Sequence, residues 1–230
     1  AKIGFVASFD YSEVVSAYTA FFLGARSVCP TVTMDVAYTY CWYDEQLEKT
    51  AAKTLIARGC KLISQTSSSM GAPVACENAG VPNVACDSCN LDLAPNTYIV
   101  SSRINWTPYM EYAIRCVQNG DAIDTDWTGT LSTGSVVLTE LNTAVAAAGT
   151  AEAIKAAVAK LESGELHVFD CSTFTVNGSK VTSYWADVDY DPNYSLDTQV
   201  IVDGYFAEST FRSAPYFDLH IDGITLLINS

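Results

Sequence analysis

The chain has 230 residues, 49% of them hydrophobic and 17% charged, which is ample for a buried core and unlike the composition of a disordered chain. Its formal net charge is −14, from 12 Lys and Arg against 26 Asp and Glu, and the basic residues form no cluster able to track a phosphate backbone, which argues against nucleic acid and anionic membranes as partners. So large a negative charge repels anions and makes a neutral or cationic small molecule the expected ligand.

The sequence starts at once on a strand pattern, with neither a basic leader nor an apolar signal core, so a removed leader or a cut at a domain edge is expected. The first 120 residues alternate short β-rich runs with amphipathic segments, as in a parallel sheet wound with helices. Strands are predicted at 2–7, 33–40, 61–64, 83–86 and 98–102, and helices at 12–28, 44–58, 69–79 and 106–119. The second helix is the best marked. Asp44 can cap it, Glu45 and Glu48 suit the positive end of its dipole, Arg58 and Gly59 close it, and Leu47, Ala51, Leu55 and Ile56 form its apolar stripe. After Gly120 come a strand-like run at 135–138 and an alanine-rich helix at 151–162, closed by Gly164. Strand patterns return at 166–169, 174–185 and 199–205, and the end, 216–228, is apolar with period-two features. No segment approaches the roughly 20 apolar residues that span a bilayer. The expected fold is α/β, a Rossmann-like parallel sheet flanked by helices, followed by an irregular α+β C-terminal segment.

Loops that follow parallel strands gather along one sheet edge, where ligands bind. Here they are 8–11, 41–44, 65–70, 87–90 and 103–106, rich in aromatic, carboxylate, hydroxyl and amide groups that suit a flat ring bearing hydroxyls. Trp42 and Trp106 each sit at a strand exit and either stack on a ligand ring or cap the core. Phe9 and Tyr11 border the same region. Asp87 either accepts hydrogen bonds from a ligand or satisfies its own turn. Asp44 is a helix cap before it is a ligand contact, and Asp10 has no assigned role. Ser67, Ser68 and Ser69 precede a helix whose N-terminus can donate to a polar ligand, with Ser68 the candidate contact, or they cap that helix.

No catalytic, metal-binding or cofactor-binding pattern is found. Cys29, Cys41, Cys60, Cys76, Cys86, Cys89, Cys116 and Cys171 are irregularly spaced and form no disulfide framework. Cys86-Asp-Ser-Cys89 lacks both a thioredoxin-like context and further zinc ligands. His167 and His220 lie in strand-like runs and are read as structural. Gly129-Thr-Leu-Ser132-Thr-Gly134 is one residue too long for a nucleophile elbow, and neither a Walker A sequence nor G-x-G-x-x-G occurs. Asp187 and Asp189 alternate on an expected strand and form a solvated patch.

Several motifs in order carry a resemblance: Lys2-Ile3-Gly4-Phe5-Val6-Ala7-Ser8-Phe9, Phe22-Leu23-Gly24-Ala25-Arg26-Ser27-Val28, Trp42-Tyr43-Asp44, Cys86-Asp87-Ser88, Leu93-Ala94-Pro95, Asn105-Trp106 with Pro108-Tyr109, Gly164-Glu165-Leu166-His167-Val168-Phe169 and Ile221-Asp222-Gly223-Ile224. Together they resemble the second lobe and C-terminal part of basic membrane protein receptors, the substrate-binding proteins of ABC importers. The resemblance implies a type I periplasmic binding protein fold, a purine nucleoside ligand, a membrane permease as partner, and an extracytoplasmic, lipid-anchored location. It implies that Trp42 is a base-stacking platform and that Asp87 accepts hydrogen bonds from ribose hydroxyls. Family members often carry another acid two positions later, where this sequence has Cys89. A first lobe precedes the opening strand in the family, so residues 1–125 are expected to form a ligand-binding lobe and 126–230 a segment completing it or crossing between lobes. Apolar surface left uncovered on that segment would favour a homodimer. Two rival readings are a nucleoside hydrolase using Asp10, Asp44 or Asp87, and an effector-binding sensor domain of a regulator.

Overall fold

A computed structural model describes residues 1–189 and 191–227. In chain order the elements are β1 (Lys2–Ala7), α1 (Ser12–Val28), β2 (Thr33–Tyr38), α2 (Glu45–Ala57), β3 (Ile63–Gln65), α3 (Gly71–Ala79), β4 (Asn83–Cys86), β5 (Tyr98–Ile104), α4 (Thr107–Asn119), β6 (Val136–Leu138), α5 (Thr150–Ser163), β7 (Trp185–Ala186), β8 (Thr198–Gln199), β9 (Ile201–Val202), β10 (Tyr205–Phe206) and β11 (Ile224–Leu227).

Seven strands form one sheet in the order β11-β2-β1-β3-β4-β5-β6. All neighbours are parallel except β6, which runs antiparallel to β5. β1 is buried along nearly its whole length because helices and loops cover both faces, which is why it reads as a continuous apolar run. Phe5 and Val36 turn to one face and meet Val15, Tyr18 and Phe22 of α1. Val6 and Ala37 turn to the other and meet Ala52 and Leu55 of α2 with Ala72 and Cys76 of α3. Both edge strands, β6 and β11, come from beyond residue 125.

Local chemistry sets the element ends. One Asp44 carboxylate oxygen accepts from the amides of Gln46 and Leu47, both at 2.9 Å, and starts α2. α3 and α4 stop at Gly80 and Gly120, whose φ of 64° and 78° suits the left-handed C-cap. β2 ends at Tyr38 and not at residue 40, because Tyr40 takes a φ of 53° and turns the chain out of the sheet. Ser69 does not open α3 but accepts from the Gly71 amide at its start.

Other expectations are corrected. The buried face of α2 is Glu48, Ala52 and Leu55, while Leu47 is exposed. Residues 166–169 form no strand, and 174–185 and 199–205 contain only two-residue strand pairs. Their aromatic residues are held by ring packing. Phe169 stacks on Phe217 at 4.2 Å, and Phe206 meets Phe217 edge-on at 4.8 Å, in a cluster continuous with α1. His167 and His220 therefore lie outside strands. Asp187 and Asp189 flank the buried Val188, just beyond the end of β7. The C-terminal apolar run yields β11, which pairs in parallel with β2 from Ile224 opposite Met34 to Leu227 opposite Ala37; Ile228 lies outside the described residues. Among the described residues no helix is long and apolar enough to cross a membrane.

Candidate aromatic ligand site

The chain reverses direction across the sheet between β1 and β3, and the loops at their carboxyl ends meet there. Leaving β1, Phe9 and Tyr11 stack on one another with centroids 5.0 Å apart and planes 12° from parallel. Trp42, leaving β2, stands 5.2 Å from Phe9 and 6.2 Å from Tyr11. Trp42 remains 42% exposed and Tyr11 54%, so both keep ring surface open to a ligand.

Backbone contacts hold this group from both sides. The Thr39 amide donates to the Ala7 carbonyl at 2.9 Å, and the Ser68 amide donates to the Trp42 carbonyl at 3.1 Å. Below Ser68, the buried Glu48 carboxylate accepts from the Ser69 amide at 3.1 and 3.2 Å. The hydroxyls of Ser8, Thr66 and Ser67 are buried at the same two strand exits and make no hydrogen bond among the described residues.

The structure thus brings Phe9, Tyr11 and Trp42 together, with Ser68 against the Trp42 backbone and Asp44 two residues on as the α2 cap. Asp87 lies in the loop after β4 with a φ of 62°, exposed, and its amide donates to the Ser102 carbonyl at 2.7 Å. A backbone contact from the Ser88 amide to the Cys86 carbonyl closes its turn. Burial, reinforced by the Asp87 charge, pushes the Cys86 thiol up to about 12. Trp106 belongs to a different group at the start of α4, edge-on to Tyr109 at 6.4 Å, with Tyr109 in turn 5.4 Å from Trp127.

Sequence reasoning missed a polar network beside the rings. Asp10 accepts from the Tyr38 hydroxyl at 3.0 Å on the same oxygen that meets His220 Nε2 at 3.1 Å, and Tyr38 reaches the Tyr18 hydroxyl at 3.4 Å. Burial raises Tyr18 to about 12 and raises Tyr38 further, with Tyr18 and Asp10 adding to the latter. Asp10 was legible as a carboxylate between two aromatics at a strand exit, whereas nothing near His220 marked it. Among the described residues no three His, Cys, Asp or Glu side chains are grouped to hold a metal ion.

A parallel sheet between helices, with aromatic rings and carboxylates at its carboxyl edge, defines a lobe of the α/β solute-binding class. The family model for PnrA-like ABC transporter substrate-binding proteins matches residues 1–166, and the chain belongs to that family. A Haloferax volcanii protein named as an ABC transporter glucose-binding protein is 33% identical over 139 residues, covering 60% of this chain and 35% of its own length. The purine-binding protein of Brucella abortus is 31% identical over 117 residues, covering 51% of this chain and 33% of its own. An ABC transporter solute-binding protein from Conexibacter woesei shares the fold with a TM-score of 0.59 at 22% identity, covering 72% of this chain and 56% of that one. The chain thus spans about a third of the length of the curated relatives it matches.

Proposed function

We propose that this chain is the ligand-binding part of the extracytoplasmic solute-binding component of an ABC importer, lipid-anchored at the cell surface, and that it takes a purine nucleoside or a related heterocycle. The observation that carries this reading is the Phe9, Tyr11 and Trp42 cluster at the carboxyl edge of the parallel sheet. A flat base lying on the open face of Trp42 gains about 1 to 3 kcal/mol from stacking. The outward Asp87 carboxylate accepts from ribose hydroxyls, Ser68 and Asp44 supply the polar border, and Trp106 offers a second aromatic surface at the end of β5. Residues 1–125 act as the lobe, and the segment 126–230 completes or crosses it. Recognition uses stacking and hydrogen bonds alone, with no covalent chemistry, and the closed form is read by a membrane permease. The purine-binding relative from Brucella abortus supports this choice of ligand.

A sugar is the second reading, favoured by the glucose-binding name of the Haloferax volcanii relative, since aromatic faces also pack against pyranose rings. Calorimetric titration with adenosine, inosine, adenine and glucose separates the two. The expected result is saturable nucleoside binding, with Trp42→Ala raising the Kd about 5- to 150-fold, the equivalent of the stacking energy, and Asp87→Ala weakening nucleosides more than free adenine. Binding of glucose alone would replace the purine assignment with the sugar one. Release of free base from inosine would move the protein to the hydrolases.

A further inference from the structure

We propose that a second small-molecule site lies between α1 and the C-terminal segment, and that it takes an amphipathic organic ammonium ion whose head meets the Glu208 carboxylate. The site is a groove of about 330 Å³, walled by Ser16, Ala17 and Ala20 of α1 and, opposite them, by Leu161 at the end of α5, by residues 166–169 and by Tyr205. It is separate from the strand-exit rings, since its α1 wall begins about one helical turn beyond the start of that helix.

Two features give the groove a chemical preference. The first is an aromatic wall. His167 and Tyr205 stack with centroids 3.7 Å apart and planes 5° from parallel, and both line the groove. Such a face attracts a cation that is partly stripped of water.

The second is the carboxyl group itself. Glu208 Oε2 accepts from the Tyr216 amide at 3.3 Å, but Oε1 is sealed from solvent and has no hydrogen bond of normal geometry among the described residues. Burial raises the pKa of Glu208, against the opposing pull of the Ser16 hydroxyl, the amides of Tyr216 and Phe217, and the Arg212 charge. An apolar molecule would leave Oε1 unpaired, and an anion would be repelled. An ammonium group supplies the missing donors and a charge-assisted bond, while the surrounding Ala17, Ala20 and Leu161 side chains cover an apolar tail. The net charge of −14 draws cations toward the whole molecule. Entry is open along α5, which buries none of its side chains completely.

The test is calorimetric titration at pH 8 with phenethylammonium chloride and with its neutral analogue 2-phenylethanol. The expected result is 1:1 saturable binding of the ammonium, at least about tenfold tighter than the alcohol, a margin typical of a charge-assisted bond. Glu208→Gln should abolish that preference, Leu161→Trp should fill the groove and remove both ligands, and Trp42→Ala should leave both unchanged. Absence of saturable binding, equal affinity for the two probes, or loss of binding on Trp42→Ala would each overturn the proposal. If Glu208→Gln does not fold, the comparison of the two probes and the Leu161→Trp variant still decide.

Discussion

His220 Nε2 and Asp10 Oδ1 stand 3.1 Å apart although 210 residues separate them in sequence. Asp10 leaves the central strand between the stacked Phe9 and Tyr11, and His220 lies four residues before β11 joins the sheet beside β2. The same carboxylate oxygen accepts from Tyr38 at the end of β2. One atom thus ties the C-terminal segment to the exits of the two strands that carry the aromatic cluster, so the ring geometry depends on chain far outside the first 125 residues.

The two partners of Asp10 should contribute unequally. His220 and Asp10 are both about half exposed, and such pairs are worth about 0 to 1 kcal/mol. Tyr38 is buried and also reaches Tyr18, so its removal leaves buried groups unpaired. Urea unfolding should show Tyr38→Phe destabilised by about 1 to 2 kcal/mol and His220→Ala by less. A larger loss in His220→Ala would mean that the ion pair, and not the tyrosine network, holds this corner.

The packing of α2 on α3 should be intolerant of small changes. A Cβ at Gly71 would collide with the Glu45 carbonyl and stand 2.9 Å from the Lys49 amide nitrogen, so Gly71→Ala must push two helices apart, at a cost of about 1 to 3 kcal/mol. Glu48 is fully buried and accepts from the Ser69 amide and, at 3.3 Å, from the Asp44 amide. Glu48→Ala orphans both donors, at about 2 to 3 kcal/mol. Both variants should lower the urea midpoint, and both should weaken ligand binding because Ser68 and Trp42 rest on this contact. Unchanged midpoints would show that the helices can separate freely.

Much of this architecture was legible because it is local. A capping aspartate at position 44, glycines at 80 and 120, and apolar runs at β1 and β4 each act within a few residues of themselves. What was illegible depended on distant partners. Glu48 looked solvent-facing because a glutamate in a helix usually is, and only the approach of Ser69 makes its burial affordable. The C-terminal aromatic runs have the period of strands, yet Phe169, Phe206 and Phe217 are satisfied by one another and by α1. Trp42 and Trp106 look alike as strand-exit residues, and only tertiary packing puts one beside Phe9 and the other beside Tyr109.

The eight free thiols should divide sharply by reactivity. Cys89 is exposed, whereas Cys60, Cys76, Cys116 and Cys171 are buried. Burial holds the Cys60 thiol at about 11 and the Cys76 thiol at about 12, so little thiolate is present near neutrality. Mass spectrometry after brief iodoacetamide treatment of the folded protein should find Cys89 modified first and those four only after denaturation. Early labelling of Cys76 would show that α3 opens readily.

Those raised values also fix how stability responds to alkali. Burial lifts Cys76 and Tyr18 to about 12, and it does the same for Cys86 with help from Asp87. Once unfolded, thiols ionise near 9 and tyrosines near 10. Between pH 9 and 12 the folded state therefore keeps protons that the unfolded state has released. With more protons bound to the folded form, the free energy of unfolding falls as pH rises. The contribution is complete below about pH 8 and is lost progressively up to about pH 12. Urea midpoints measured at pH 7, 9 and 10.5 should decline in that order, and Cys76→Ala should flatten the decline by removing one buried proton. A constant midpoint across this range would mean that the buried thiols and tyrosines ionise without unfolding.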